Sequence, residues 1–271
     1  MKKPIIEGLI IVLIFFFTLG MARQVDWMAL FRVEQGIGIA EQKLGELFWD
    51  LFRNSEKEIK DRPVNQAIYS IVSKICKDND IKRESIKVHI LQKAEVNAFA
   101  LPDGHLVINS GLILASAKPE ELGGVIGHEI AHIRLNHVMK KLVKELGMAY
   151  LISITTGNAG SEKIGEAAKI LSSTAFDRGL EKEADIQAVD YLINSGLDPV
   201  PFARFLERLS LEREEKESFA WISTHPGSKK RADYIRQYSQ DKTLEYAPLM
   251  SQERWDGIRE ELKDDRFANK P

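Results

Sequence analysis

The spacing of apolar positions divides the chain into four stretches of different character. From Gly8 to Ala22 no charged residue occurs, and Leu9 to Leu19 is almost wholly apolar. From Trp27 to Phe52 apolar residues recur at helical spacing, among them Leu30, Phe31, Leu44, Leu47, Phe48 and Leu51. That pattern predicts an amphipathic helix which either lies on a membrane surface or braces the part that follows. The polar stretch from Asn54 to Arg62, closed by Pro63, reads as a hinge. A second helix follows, with Ile68, Ile71, Val72 and Ile75 on one side.

Beyond Lys82 the period changes to two. Ile86, Val88 and Ile90 alternate with polar residues, Val96, Ala98 and Ala100 follow, and Pro102-Asp103-Gly104 makes a turn before Leu106 to Asn109. This predicts a small antiparallel sheet with a tight connection. Pro119-Glu120-Glu121 marks a helix start, with acids at the positive end of the dipole. Gly157 to Gly160 is a break, and helices resume at about Ile164, Leu180 and Pro201, with a last one from Gln252 to Leu262. The expected fold class is therefore α+β and mainly helical.

Composition narrows the chemistry. The chain has 271 residues, and its net charge of −2 gives no basic field for nucleic acid. Its single cysteine, Cys76, excludes an internal disulfide and a cysteine cluster, so a metal would be held by His, Asp or Glu. Lys2 and Lys3 ahead of the uncharged run read as an export signal, with Gly20 and Ala22 suited to a signal peptidase. An uncleaved anchor is the other reading, although the run is shorter than the ~20 residues that span a bilayer. In both cases the basic end stays inside and the rest leaves the cytoplasm for the cell envelope.

The candidate chemistry sits at His128-Glu129-Ile130-Ala131-His132. The two histidines fall one helical turn apart and suit a single tetrahedral zinc. Glu129 lies beside them, placed to activate a zinc-bound water. Val125, Ile126, Ile130 and Ile133 put this segment in a buried helix, where an unpaired ionisable cluster would be costly. A catalytic zinc takes a third protein ligand. Glu181 and Asp185, one turn apart, share a face with the small Ala184 and Ala188, which permit close approach of helices. Glu183 points about 200° away from Glu181. Glu181 is therefore the expected third ligand and Asp185 the acceptor that orients a histidine. His137, about 140° off the face of His132, is expected at the surface or in a structural contact.

HEIAH, the later EKEAD and then THP resemble the HtpX, Oma and CAAX-prenyl-protease family of zinc metallopeptidases, peptidase family M48, of the gluzincin type. Asn97-Ala98-Phe99-Ala100 with its turn, and Asn109-Ser110-Gly111-Leu112, belong to the same resemblance, which spans roughly Pro63 to Tyr238. It divides the chain into 1–22 (signal or anchor), 23–62 (amphipathic helix and hinge), 63–238 (metallopeptidase domain) and 239–271 (charged tail). The first Glu of the E-x-x-A-D pattern is the family's third ligand, and it falls on Glu181.

The resemblance further implies that His225 and Arg231 contact substrate or stabilise the oxyanion, and that the histidine sometimes approaches the metal. It also implies that Asn97 to Ala100 form an edge strand pairing with an extended substrate. One Zn2+ per chain and unfolded or misassembled protein substrates are the implied cofactor and partners. The multiple membrane helices and the repeat arrays of some members are absent from the pattern, which puts prenylated-peptide processing in doubt. A zinc-retaining chaperone that does not cleave, or a membrane-surface interaction module, would be a rival of another class.

Overall fold

The computed structural model describes residues 33–157, 160–212, 220–240, 242 and 245–263, so the predicted signal or anchor lies outside the described residues. The described residues fall into two units, one ending at Glu41 and the other spanning Gln42–Pro271. Helix α1 spans Val33–Ser55. Among the described residues no helix is long and apolar enough to cross a membrane.

Helix α2 (Arg62–Asp78) starts where Asp61 caps it, its carboxylate accepting from the Val64 amide at 3.4 Å, with Pro63 in the first turn. The face bearing Val64, Ile68, Ile71, Val72 and Ile75 is buried, as its spacing predicts. The stretch before it is tied to the sheet. Ile59 is buried and its amide donates to the carbonyl of Ile90 at 2.8 Å, and Glu58 bridges Leu91.

Three strands follow, β1 (Lys87–Leu91), β2 (Ala98–Ala100) and β3 (His105–Asn109), in the order β1-β3-β2. The mainly helical α+β class is as expected, but the sheet is mixed rather than antiparallel. β3 pairs antiparallel with β2 and parallel with β1, Val88 standing opposite Leu106. Alternation shows which face of a strand is buried and says nothing about its partner's direction. The uninterrupted Leu106-Val107-Ile108 run marks a strand covered on both faces, the usual setting of parallel pairing. The turn after β2 is as predicted: Asp103 and Gly104 take φ of 58° and 73°, and a side chain on Gly104 would meet the Ser85 carbonyl at 1.9 Å.

Leu44 and Phe48 of α1 cover one side of the sheet, with Phe99 and Val107. The other side packs on α2 and on α4 (Pro119–Arg134), reached through the short α3 (Ser110–Ala115). Then come α5 (His137–Leu146), α6 (Met148–Thr155), α7 (Ser161–Ser173), α8 (Arg178–Asn194), α9 (Val200–Glu212), α10 (Ala220–Thr224), α11 (Ser228–Ser239) and α12 (Gln252–Lys263). α4 is buried almost all round between α8, α9, α2 and β2. Gly124 makes this possible on the α9 side, where an added Cβ would lie 2.3 Å from the Phe202 side chain. The predicted last helix, α12, is not a loose tail. Trp255 and Ile258 are buried in the main core, and the Trp255 indole donates to the Ser116 carbonyl at 3.0 Å.

Candidate metal centre

Among the described residues α4 and α8 pack more extensively on each other than any other pair of elements, with Gly127 facing Ala188. The small residues at that crossing bring His128 and His132 on one helix up to Glu181 and Asp185 on the other. The His225 side chain enters from the turn after α10, and its amide donates to the Trp221 carbonyl at 2.8 Å. One possible ligand atom from each of His128, His132, Glu181 and His225 lies within 4.8 Å of the others. All four side chains are buried.

Donor and acceptor counting tests whether a cation fits. His128 Nδ1 lies 2.9 Å from Asp185 Oδ1, so it carries the proton and leaves a lone pair on Nε2. His132 turns Nδ1 away, to 3.1 Å from His137, and presents Nε2 to His128 Nε2 at 2.9 Å. The His225 Nδ1 lies 2.8 Å from Glu181 Oε1 and 3.2 Å from His128 Nε2. Ring nitrogens and a carboxylate gathered this closely in a buried pocket form a donor set suited to a cation. Ligand atoms around a tetrahedral zinc at ~2.0–2.1 Å stand a little over 3 Å apart. The donor set fits zinc.

The electrostatics agree with a site built for a cation. Burial, reinforced by His132, holds the His128 imidazole down at about 3, so it is neutral. Burial alone would raise the Glu181 carboxyl, but His225, Arg231 and His128 outweigh it and hold it well below the usual range. Asp185 is depressed in the same way, burial being overcome by Arg231 and His128. Glu129 behaves oppositely: burial pushes it up to about 7, partly offset by His132 and by the Trp221 indole. That indole donates to Glu129 Oε1 at 3.0 Å, and Oε2 has no hydrogen-bond partner.

Each residue expected at the site is accounted for. His128, Glu129, His132, Glu181, Asp185, His225 and Arg231 are brought together. Arg231 is buried and turned to Asp185, to Glu181 and to the carbonyl of His225, which it reaches at 2.9 Å. Asn97 to Ala100 lie beside the centre and outside it: the Val96 carbonyl accepts from the Trp221 amide at 3.1 Å, and α4 packs on β2. β2 is at the sheet edge as expected, yet Ala98, Phe99 and Ala100 are buried, and Phe99 and Ala100 share a cluster with Ala167, Ala168 and Leu171 of α7.

Four contributors escaped the sequence reading, the first being the Trp221 indole on Glu129. Phe176 stacks on His132 with ring centroids 4.1 Å apart and faces His225 at 5.5 Å. Lys141 lies 4.0 Å over the Phe176 ring and donates to the Thr174 carbonyl at 2.6 Å. Burial brings its ammonium down to about 8, against the pull of Glu181 and Glu129. Tyr234 donates to Asp185, and its place one turn beyond Arg231 on α11 is a signal that helical spacing would have exposed.

Comparison with known proteins agrees with this geometry. The chain is similar to Metalloprotease LoiP of Escherichia coli (strain K12), 30% identical over 165 residues, 58% of this chain and 64% of that one. It is similar to the Beta-barrel assembly-enhancing protease of Yersinia pestis at 24% over 199 residues, 69% of this chain and 41% of that one. Mitochondrial metalloendopeptidase OMA1 of Arabidopsis thaliana is 29% identical over 153 residues, 56% of this chain and 31% of that protein. The chain thus spans less than two thirds of each of these relatives. The model of Peptidase family M48 matches residues 63–239, which hold every member of the buried cluster. Matched over most of its length and carrying that cluster, the chain belongs to Peptidase family M48.

Proposed function

We propose that this chain is a zinc-dependent endopeptidase, with His128, His132 and Glu181 as ligands and Glu129 as general base. The observation that carries this reading is the convergence of His128 Nε2, His132 Nε2 and the Glu181 carboxylate beside the buried carboxylate of Glu129, whose Oε2 is unpartnered. Zinc in such a site lowers the pKa of a water toward about 7 and polarises a carbonyl. Glu129 takes the proton from the attacking water on Oε2 and passes it to the leaving amine. The Trp221 indole fixes Oε1, so the carboxylate cannot turn away.

Asp185 accepts from His128 Nδ1 and sets its tautomer. Arg231, buried against Asp185, holds that acceptor in place and influences the oxyanion through its charge rather than by contact. His225, close to Glu181 and His128, closes the fourth side of the cluster. It must yield that side when a peptide enters, and it then becomes a donor to the developing oxyanion.

The substrates are unfolded or misassembled proteins of the cell envelope, outside the cytoplasm. Similarity to a beta-barrel assembly-enhancing protease and the basic, then uncharged, N-terminal sequence support this. Backbone pairing with β2, once α7 moves aside, would give affinity with little side-chain preference. Chelation tests the reading. Cleavage of unfolded casein should vanish when zinc is stripped and return with one equivalent per chain; cleavage by zinc-free protein contradicts it.

A further inference from the structure

The two histidines of the HEIAH segment are held from behind in different ways. His128 rests on Asp185. His132 Nδ1 instead lies 3.1 Å from Nδ1 of His137, a fully buried residue whose Nε2 makes no hydrogen bond but has Oε2 of the half-exposed Glu183 3.3 Å away. A break in the backbone makes this contact. α4 ends at Arg134, Asn136 takes a left-handed conformation with φ of 56°, and α5 starts at His137. An unbroken helix would have carried His137 about 140° round from His132. Asparagine is among the few residues that enter this conformation at low cost.

We propose that His137 is a positioning residue of the metal centre, accepting the His132 Nδ1–H, and that the charge of the neighbouring Glu183 carboxylate favours the His137 tautomer protonated on Nε2. The inference rests on the reading of His132 as a ligand through Nε2. Its proton is then on Nδ1 and faces His137, which must offer a lone pair from its own Nδ1. The remaining His137 proton is on Nε2, toward a carboxylate. The two facing Nδ1 atoms then have one consistent role each, and reversing only one of them sets two hydrogens or two lone pairs face to face. Such support fixes ring orientation and raises ligand basicity.

The test uses the full chain and zinc itself. Zinc affinity is measured by chelator competition for wild type, His137→Ala, His137→Asn and Glu183→Ala. Cobalt(II) absorption spectra and melting of the metal-free proteins are recorded alongside. His137→Ala should bind zinc ~10–100-fold more weakly and shift the cobalt bands. His137→Asn, whose Oδ1 can accept the same proton, should recover most of the loss, and Glu183→Ala should show a smaller one. Unchanged affinity in His137→Ala, or no recovery in His137→Asn, overturns the proposal. If the alanine variant does not fold, nitrogen-15 imidazole shifts of the zinc-loaded wild type decide. His137 should be protonated on Nε2, and a proton on Nδ1 contradicts the assignment. A wild type that binds no zinc overturns the metal-centre reading and this inference together; a zinc-binding wild type with an indifferent His137→Ala overturns only the latter.

Discussion

Arg231 meets Asp185 side-on, with Nε 2.7 Å from Oδ2 and Nη2 2.7 Å from Oδ1, and neither side chain is exposed by more than 3%. The same Oδ1 faces His128 Nδ1 at 2.9 Å. A fork of two parallel hydrogen bonds fixes the plane of the carboxylate, and through it the plane of an imidazole at the centre.

Replacing Arg231 by Ala should therefore strand two buried carboxylates. Breaking one side of such a pair typically costs about 3–5 kcal/mol, and chemical denaturation of the metal-free protein should show a loss of that order. Arg231→Lys should rescue only part of it, because a lysine cannot make the fork. A lysine variant as stable as wild type would argue against the bidentate geometry as the source of the effect.

Glu129 should make stability depend on pH in the metal-free protein. Burial raises its pKa from 4.5 to about 7, so the folded state holds its proton more tightly than the unfolded one. Below 4.5 both states are protonated and the group costs nothing. Between 4.5 and 7 the unfolded state sheds its proton while the buried carboxyl keeps it, so stability falls, and the fall ends once the folded state also ionises above about 7. Glu129→Gln cannot ionise, so its stability relative to wild type should grow between about pH 4.5 and 7 and then level off. A difference that stays flat across this range contradicts the raised pKa.

Phe176 should control access. Its ring covers both His132 and His225, and all four candidate ligands are buried, so no peptide reaches them without movement. Phe176→Ala should raise kcat/KM on unfolded casein severalfold at unchanged zinc content, although losing the stacked ring lowers the melting temperature. An unchanged or lower kcat/KM would place the barrier in another segment.

The C-terminal helix α12 should be indispensable to the core. Trp255 is fully buried and anchored to Ser116, just before the metal helix. Trp255→Ala should cost about 3–5 kcal/mol, as other buried aromatic truncations do. A loss below about 1 kcal/mol, well under that range, would mean the helix docks weakly.

The parts of the site carried by helical periodicity were legible. His128 and His132, and Glu181 and Asp185, each need only one turn of regular helix to share a face, and α4 and α8 are regular across those residues. His137 is in a structural contact, one of its two expected settings, but its contact with His132 is not legible from helical projection because the helix ends at the left-handed Asn136. Sheet direction was missed because alternation is blind to the partner strand. Phe176 meets His132 only through tertiary packing, and no local spacing signals it. The burial of Trp255 in the core was equally silent in a segment whose remaining residues are largely charged.

The proton-transfer role of Glu129 is tested most directly by Glu129→Gln beside wild type, both with measured zinc content, on unfolded casein. Each should hold one zinc per chain. The variant should cleave slower by a factor on the order of 10²–10⁴, the range for loss of a general base. Equal rates at equal zinc would contradict the assignment of peptide hydrolysis to this centre.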